Sequence, residues 1–331
     1  MNDRNKNDPR PLVGITMGDA AGIGAEIILN ALADAELRSK VRPVVIGDAD
    51  AIRQMADMLG RSDMLATLDA NSPSEIIDLD NLKNGFDFGR VSATTGKAAG
   101  EYIAKAVELW KSGDIDAICT APINKESLRL GGYDFPGHTE FLAKLTGTEK
   151  FAMSFFAEKL RVVLLSTHMP LAEAIRQVKT KNIADLIQFT DHTLSELLNR
   201  KVKIAVAGLN PHASENGMFG TEEVNEIEPA IKACAAKGID VTGPYSPDTI
   251  FLRGFRGEFD AVIAHYHDQA TIPVKAMSFG SAVNVTLGLP LIRTSVDHGT
   301  AFDIAGKGIA DESSMKAAIL LAGKLAAFRC K

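Results

Sequence analysis

Seven histidines occur in the chain, at positions 138, 168, 192, 212, 265, 267 and 298, and three of them share a setting. His168 follows VVLLS, His212 follows IAVAG and His267 follows AVIA, each beyond a short apolar run. Three neutral imidazoles with an open position make a usable divalent-metal site. The spacing is not HExxH, in which one helical turn supplies two ligands. The same positions would also suit hydrogen-bond donors to an anion, or ordinary polar loop residues. His265 lies two residues before His267, on the same strand face but deeper in the run, as a satisfied core histidine would. His192 sits in a polar helical context and reads as surface.

The elements that must position these residues are legible as alternating patterns. Apolar runs predict strands at Leu12–Thr16, Pro43–Gly47, Ala117–Thr120, Val162–Ser166, Ile204–Gly208 and Ala261–Ala264. Helical periodicity predicts helices over Gly24–Leu37, Tyr102–Trp110, Ile183–Leu198, Asn225–Ala236 and Ser313–Phe328. Asn71–Arg90 is weakly patterned and reads as irregular or as a peripheral hairpin. Strands alternating with helices imply an α/β fold, a mainly parallel sheet with helices on both faces. Five of the runs end in polar or glycine-rich chemistry: MGDAAGIG, APINK, THMP, LNPHASENG and HYHDQ. Ligands of open parallel sheets bind beyond the carboxyl ends of the strands, so residues distant in sequence can converge there.

The totals exclude several classes. A net charge of −6 without a lysine–arginine cluster argues against a nucleic-acid face. No window approaches the ~18 uninterrupted apolar residues of a membrane helix. The polar start MNDRNKNDPRP is no signal peptide. Three scattered cysteines, Cys119, Cys234 and Cys330, point to reduced thiols and a cytoplasmic setting. The 331 residues suit one large domain or two ordinary ones.

Together, LVGITMGDAAGIGAEI, TAPINK, GYDFPGHTEFLA, STHMPL, GLNPHASENGMFGTEE, AHYHDQATIPVK and NVTLGLPLIRTSVDHGTAFDIAGKG resemble the 4-hydroxythreonine-4-phosphate dehydrogenase family, over residues 12 to about 308. That family includes relatives acting on 4-phospho-D-threonate or 4-phospho-D-erythronate. The resemblance implies a fold related to isocitrate and isopropylmalate dehydrogenases, with two subdomains. A cofactor-side subdomain would take residues 1–125 and 280–331, and a metal, substrate and dimerisation subdomain residues 126–279. It implies NAD-dependent oxidation of an alcohol followed by loss of CO2, in pyridoxine biosynthesis or carbohydrate metabolism, with NADP as the alternative cofactor.

The same resemblance implies a divalent metal (Zn, Mg, Mn or Co) on His168, His212 and His267. Substrate contacts would fall on His138, Thr139, Lys275, Asn284 and Arg293, and the phosphorylated substrate would lie in an active site shared across a homodimer. Asp268 would orient His267 or take a proton, with Lys275 as a second catalytic candidate. The cofactor would sit near Asp297, His298, Gly299, Thr300, Ala301 and Asp303. His138-Thr139 precede the helix-like EFLAKL, where free N–H groups suit a phosphate, and Thr139 could equally be a plain helix cap.

The chain departs from the family pattern in places. Ala20-Ala21 and Ala25 replace common prolines, and His265 stands where methionine is common. Ser214 and Ala270 replace usual glycines and would add bulk beside the site. A metal-dependent lyase or aldolase on phosphorylated sugar acids, without a redox step, is the alternative activity, and an anion-sensing module the non-enzymatic one.

Overall fold

The computed structural model describes residues 8–62, 75–278 and 280–329. It divides into two compact units, Met1–Glu149 with Leu289–Lys331, and Lys150–Gly288. These boundaries differ from 125/126 and 279/280. Residues 126–149 stay with the first unit, whose helices they pack against, and residues 280–288 stay with the second, where they pair as a strand.

The first unit opens with β1 (Leu12–Thr16), α1 (Gly24–Leu32), α2 (Ala35–Lys40), β2 (Arg42–Gly47), α3 (Ala49–Met58), β3 (Glu75–Asp78), α4 (Ala93–Lys111), β4 (Ala117–Thr120), α5 (Lys125–Leu130) and α6 (His138–Thr146). The second unit holds β5 (Ala152–Ala157), β6 (Leu160–Leu164), α7 (Leu171–Arg176), α8 (Thr180–Leu198), β7 (Ile204–Ala207), α9 (Glu228–Ala235), β8 (Val241–Tyr245), α10 (Pro247–Phe255), β9 (Ala261–Ala264), α11 (His267–Ser278) and β10 (Val283–Leu287). The chain then returns to the first unit with β11 (Ile292–Ser295) and α12 (Ser313–Arg329).

In the first unit the strand order is β3-β2-β1-β4-β11, every neighbour parallel. In the second it is β10-β5-β6-β9-β7-β8. There β6, β9, β7 and β8 run parallel, while the hairpin β5–β6 and the β10–β5 pair are antiparallel. The mainly parallel α/β architecture is therefore as expected. Its cause is visible in β4 and β9, AICT and AVIA, which are buried along their whole length. A parallel strand covered on both faces reads as a continuous apolar run.

Some expectations need correction. Gly24–Leu37 is two helices, because the chain leaves α1 at Ala33 and Asp34 caps α2, accepting from the N–H groups of Glu36 and Leu37. In Asn71–Arg90 residues 71–74 lie outside the described residues, and Glu75–Asp78 pairs parallel with β2, so it is no hairpin. Cys330 also lies outside them. Cys119 and Cys234 are free and buried. Among the described residues no helix is long and apolar enough to cross a membrane.

Candidate active site

In the second unit β6, β9 and β7 are neighbours, so the segments leaving their carboxyl ends lie side by side. Those segments carry His168, His267 and His212. The rings of His168 and His267 have centroids 5.6 Å apart. Two imidazoles on one tetrahedral ion, with nitrogens about 2.0 Å from it, would have centroids roughly 5 Å apart. The pair is thus close enough for two ligands of one metal. His267 opens α11, and its Nδ1 is 2.7 Å from Asp268 Oδ1. An imidazole whose Nδ1–H is held by a carboxylate presents its Nε2 lone pair outward, the usual support of a metal-binding histidine. His212 does not join them: among the described residues no group of three His, Cys, Asp or Glu could hold a metal.

His265 is buried as expected from its depth but is not the satisfied histidine expected, because its Nδ1 is buried with no hydrogen-bond partner among the described residues. It is fully buried, its Nε2 2.7 Å from the Ala207 carbonyl, its own N–H donating to Gln269 Oε1 and its carbonyl accepting from Ser166 Oγ. Gln269 Nε2 donates to the Gly208 carbonyl. These bonds lock the three strand ends together. Burial pushes the His265 pKa down, and a ring facing a carbonyl through Nε2 must carry its proton there.

His212 sits in a turn that no sequence pattern announces. Residues 212–216, none of them glycine, all have positive φ: 54°, 52°, 64°, 47° and 58°. Such left-handed backbone costs roughly 1–2 kcal/mol per residue. One of these residues is Ser214, where the family pattern has glycine. Ala270 does not add bulk to the site, because its methyl joins the buried cluster of Phe155, Val162 and Ala264. Asp268 and Lys275 are exposed and seven residues apart, hence on one face of α11. Asn284, half-buried on β10, lies opposite Phe155 of β5. His192 is 80% exposed, on the surface as expected.

In the first unit a second cluster gathers around the start of α6. His138 and Thr139 are the first two residues of this helix and Gly137 is its N-cap, with no side-chain cap. Thr139 is therefore not the cap. Arg293, on β11, is buried, and its Nη2 donates to Thr120 Oγ1 at 2.9 Å. Burial pushes its pKa down to about 10. Burial first, then the charges of Arg293 and Lys125, hold the His138 pKa well below the usual histidine range. The Nε2 of His138 is buried and has no hydrogen-bond partner among the described residues. A cationic, partly desolvated cluster at a helix N-terminus is suited to an anion.

Lys125 of this cluster and Asp19 of the GDAAGIG turn escape a search for histidines and arginines. Lys125 is exposed, and its Cε lies 3.9 Å from where a Cβ on Gly137 would stand. Its signal is the APINK motif, where Asn124 caps α5 by accepting from Ser127 N–H and so fixes Lys125 as the first helical residue. Asp19 is fully buried in the GDAAGIG turn, its Oδ1 accepting from Ala21 N–H, and burial pushes its carboxyl up.

The residues expected to meet a cofactor form the loop after β11. Asp297 exchanges hydrogen bonds with Ser314, taking 3.1 Å from its Oγ and giving 3.3 Å from its own N–H. His298 and Gly299 are exposed, and Ala301 has φ 44°. The Thr300 carbonyl accepts from Ile23 N–H, and a Cβ on Gly22 would stand 2.9 Å from Thr300 Cβ. Gly18, at φ 75°, has the Pro122 carbonyl 2.2 Å from its own would-be Cβ. Gly22 thus allows close packing of the turn against this loop, and Gly18 against the segment that follows β4. Asp303 is exposed beyond them.

A family description, pyridoxal phosphate biosynthetic protein PdxA, matches residues 39–322. D-threonate 4-phosphate dehydrogenase of Cupriavidus necator is 47% identical over 331 residues, 98% of this chain and 99% of that one. 4-Hydroxythreonine-4-phosphate dehydrogenase of Trichlorobacter lovleyi is 43% identical, covering 98% and 100%. The crystal structure of a 4-hydroxythreonine-4-phosphate dehydrogenase from Burkholderia phymatum superposes with a TM-score of 0.83 at 46% identity, over 96% of this chain and 98% of that one. With the histidine-bearing strand ends in one unit and the cationic cluster in the other, these matches along nearly the whole sequence mean that the chain belongs to the PdxA family, whose matched relatives are dehydrogenases.

Proposed function

We propose that the chain is an NAD- and divalent-metal-dependent dehydrogenase that oxidises the secondary alcohol of a 4-phosphorylated four-carbon hydroxy acid and releases its carboxylate as CO2. 4-Phospho-D-threonate is the favoured substrate: the relative named for it is 47% identical, against 46% and 43% for the two relatives named for 4-hydroxythreonine 4-phosphate. The observation that carries the reading is the His168–His267 pair with Asp268 on the Nδ1 side of His267.

His168 and His267 would hold the metal together with a His212, and an imidazole set favours zinc over magnesium. When bound, the metal would supply Lewis acidity toward a hydroxyl oxygen of the substrate, and NAD would be the hydride acceptor. The remaining work belongs to this chain. Neutral imidazoles leave the charge of the site uncancelled. Asp268 and Lys275 share a helix face and are the groups that accept the hydroxyl proton and return one to carbon after CO2 leaves. Arg293, His138, Thr139 and Lys125 would hold the anionic groups, with Asn284 as a neutral donor. The loop Asp297–Asp303 would hold NAD, with NADP as the less favoured cofactor.

The same reading makes the working enzyme a cytoplasmic homodimer, in which the partner subunit's His212 completes each metal site. It is supported by the failure of His212 to join the other two histidines within one chain. Met218 and Phe219 of the same loop are 72% and 44% exposed, an apolar surface suited to a second copy.

The test is a substrate panel. The enzyme is supplied with zinc, NAD and either 4-phospho-D-threonate, 4-phospho-D-erythronate or 4-hydroxythreonine 4-phosphate, and NADH and CO2 are followed together. Equal release of both, fastest with 4-phospho-D-threonate, is expected. Product without NADH would replace the reading by a lyase, and no turnover of any of the three would overturn it.

A further inference from the structure

We propose that Glu223 is a positioning residue for the metal site, fixing His212 through the backbone that leads into its loop. The proposal rests on His212 being a metal ligand, as proposed above. Glu223 is only 1% exposed. Its Oε1 accepts from the backbone N–H groups of Leu209 and Asn210 at 2.8 and 2.7 Å. Its Oε2 accepts from the Asn210 side-chain amide at 2.9 Å. Three donors thus meet one buried carboxylate, and all three come from Leu209 and Asn210, the two residues directly before Pro211-His212.

The turn beyond those two residues is held against its backbone preference. The five residues 212–216 are all left-handed. The turn closes on itself, with Gly217 and Phe219 N–H both donating to the Ser214 carbonyl, but these bonds lie beyond His212. On the near side Gly208 is held by Tyr245 and Gln269, the Asn210 side-chain amide also donates to Glu222, and next to His212 itself stand the Ala213 N–H bond to the Asn210 carbonyl and the Glu223 carboxylate. A Cβ on Gly208 would stand 2.9 Å from Ala213 Cα and 3.3 Å from Glu223 Oε1, so loop, strand end and carboxylate are packed together. Removing the carboxylate leaves two partly buried N–H groups without their acceptor, and the left-handed run is then free to relax toward right-handed backbone. The imidazole of His212 would move with it.

Glu223→Gln is a graded change. It keeps one oxygen for the two backbone donors and turns an NH2 toward the Asn210 amide. That amide cannot flip to accept, because its nitrogen also donates to Glu222 at 2.7 Å and a flip would set oxygen against that carboxylate.

The experiment uses the purified full chain and cobalt(II) alone as the probe, titrated by its visible spectrum. Hydrogen exchange of residues 208–219 is followed in parallel. Glu223→Ala is expected to raise the exchange rate of this segment and weaken cobalt binding about 10- to 100-fold, the range for supporting residues of metal ligands. Glu223→Gln should fall between it and wild type. In the double variant with His212→Ala, the Glu223 change should cost no further affinity, because its effect passes through His212. A purely structural role would lower the melting temperature and leave cobalt affinity of the folded protein unchanged. That result, or additive losses in the double variant, overturns the proposal while leaving the metal reading intact. Wild type that binds no cobalt sinks both. If Glu223→Ala does not fold, the Glu223→Gln comparison decides alone.

Discussion

At the scale of single residues, His138 shows most clearly how surroundings set chemistry. Burial, Arg293 and Lys125 all disfavour its protonated form. The folded chain therefore refuses a proton that the unfolded chain takes up near pH 6.5, the ordinary histidine value. Between that pH and the lower folded pKa, the unfolded state binds more protons, so stability falls as the pH is lowered through this window. Above it the contribution is fully present. The expected slope is at most about 1.4 kcal/mol per pH unit for one such group. Denaturant unfolding of wild type and His138→Gln from pH 7.5 to 5 checks this. The variant should lose less stability on acidification, though not be flat, because His265 is depressed by burial in the same direction. Parallel curves for the two proteins would show that His138 is more solvated than its buried Nε2 indicates.

At the scale of elements, the left-handed turn after β7 gives a second prediction. Ser214 has φ 64° and is buried, and its Oγ accepts only a long 3.3 Å bond from Gly217 N–H. Glycine occupies that backbone region without strain but adds entropy to the unfolded chain. Ser214→Gly should therefore raise stability by about 0.5–1 kcal/mol, read as a higher denaturation midpoint with unchanged slope. A lower midpoint would mean that the hydroxyl matters more than the backbone. This turn also marks where the sequence stops being legible. β1, β4 and β9 can be read to the residue, because strands buried on both faces are continuous apolar runs. β5 and β10 leave no such trace: AMSFFA and VNVTL mix small and polar residues, as strands pairing antiparallel can. The histidines are readable as strand-end residues. The supports of the site are not, because Glu223 reaches back thirteen residues to Asn210, and Lys125 lies beside Gly137 only after two helices have folded. Charged residues in polar stretches look like surface until tertiary structure buries or aims them.

At the scale of the whole molecule, the placement of the histidines decides how the proposed dimer can be tested. His168 and His267 stand together in one chain, with centroids 5.6 Å apart, and His212 stands outside their group. If each metal site takes the first two from one subunit and His212 from the other, the informative mixture pairs His168→Ala with His212→Ala. In a mixed dimer, one site then lacks both His168 and His212, while the other draws His168 and His267 from the second variant and His212 from the first, and is whole. Random exchange makes about half of the dimers mixed, and half of their sites are intact, so activity should return to roughly a quarter of wild type. Pairing His168→Ala with His267→Ala is the control: both ligands belong to the same chain, so every site lacks at least one, and no activity should return. Bound zinc per chain should follow the same pattern, independent of turnover. Recovery in the control and not in the first mixture would mean that each site takes His168 and His267 from different subunits. No recovery in either, with subunit exchange demonstrated by mass spectrometry, would place all three ligands on one chain and remove the need for a dimer.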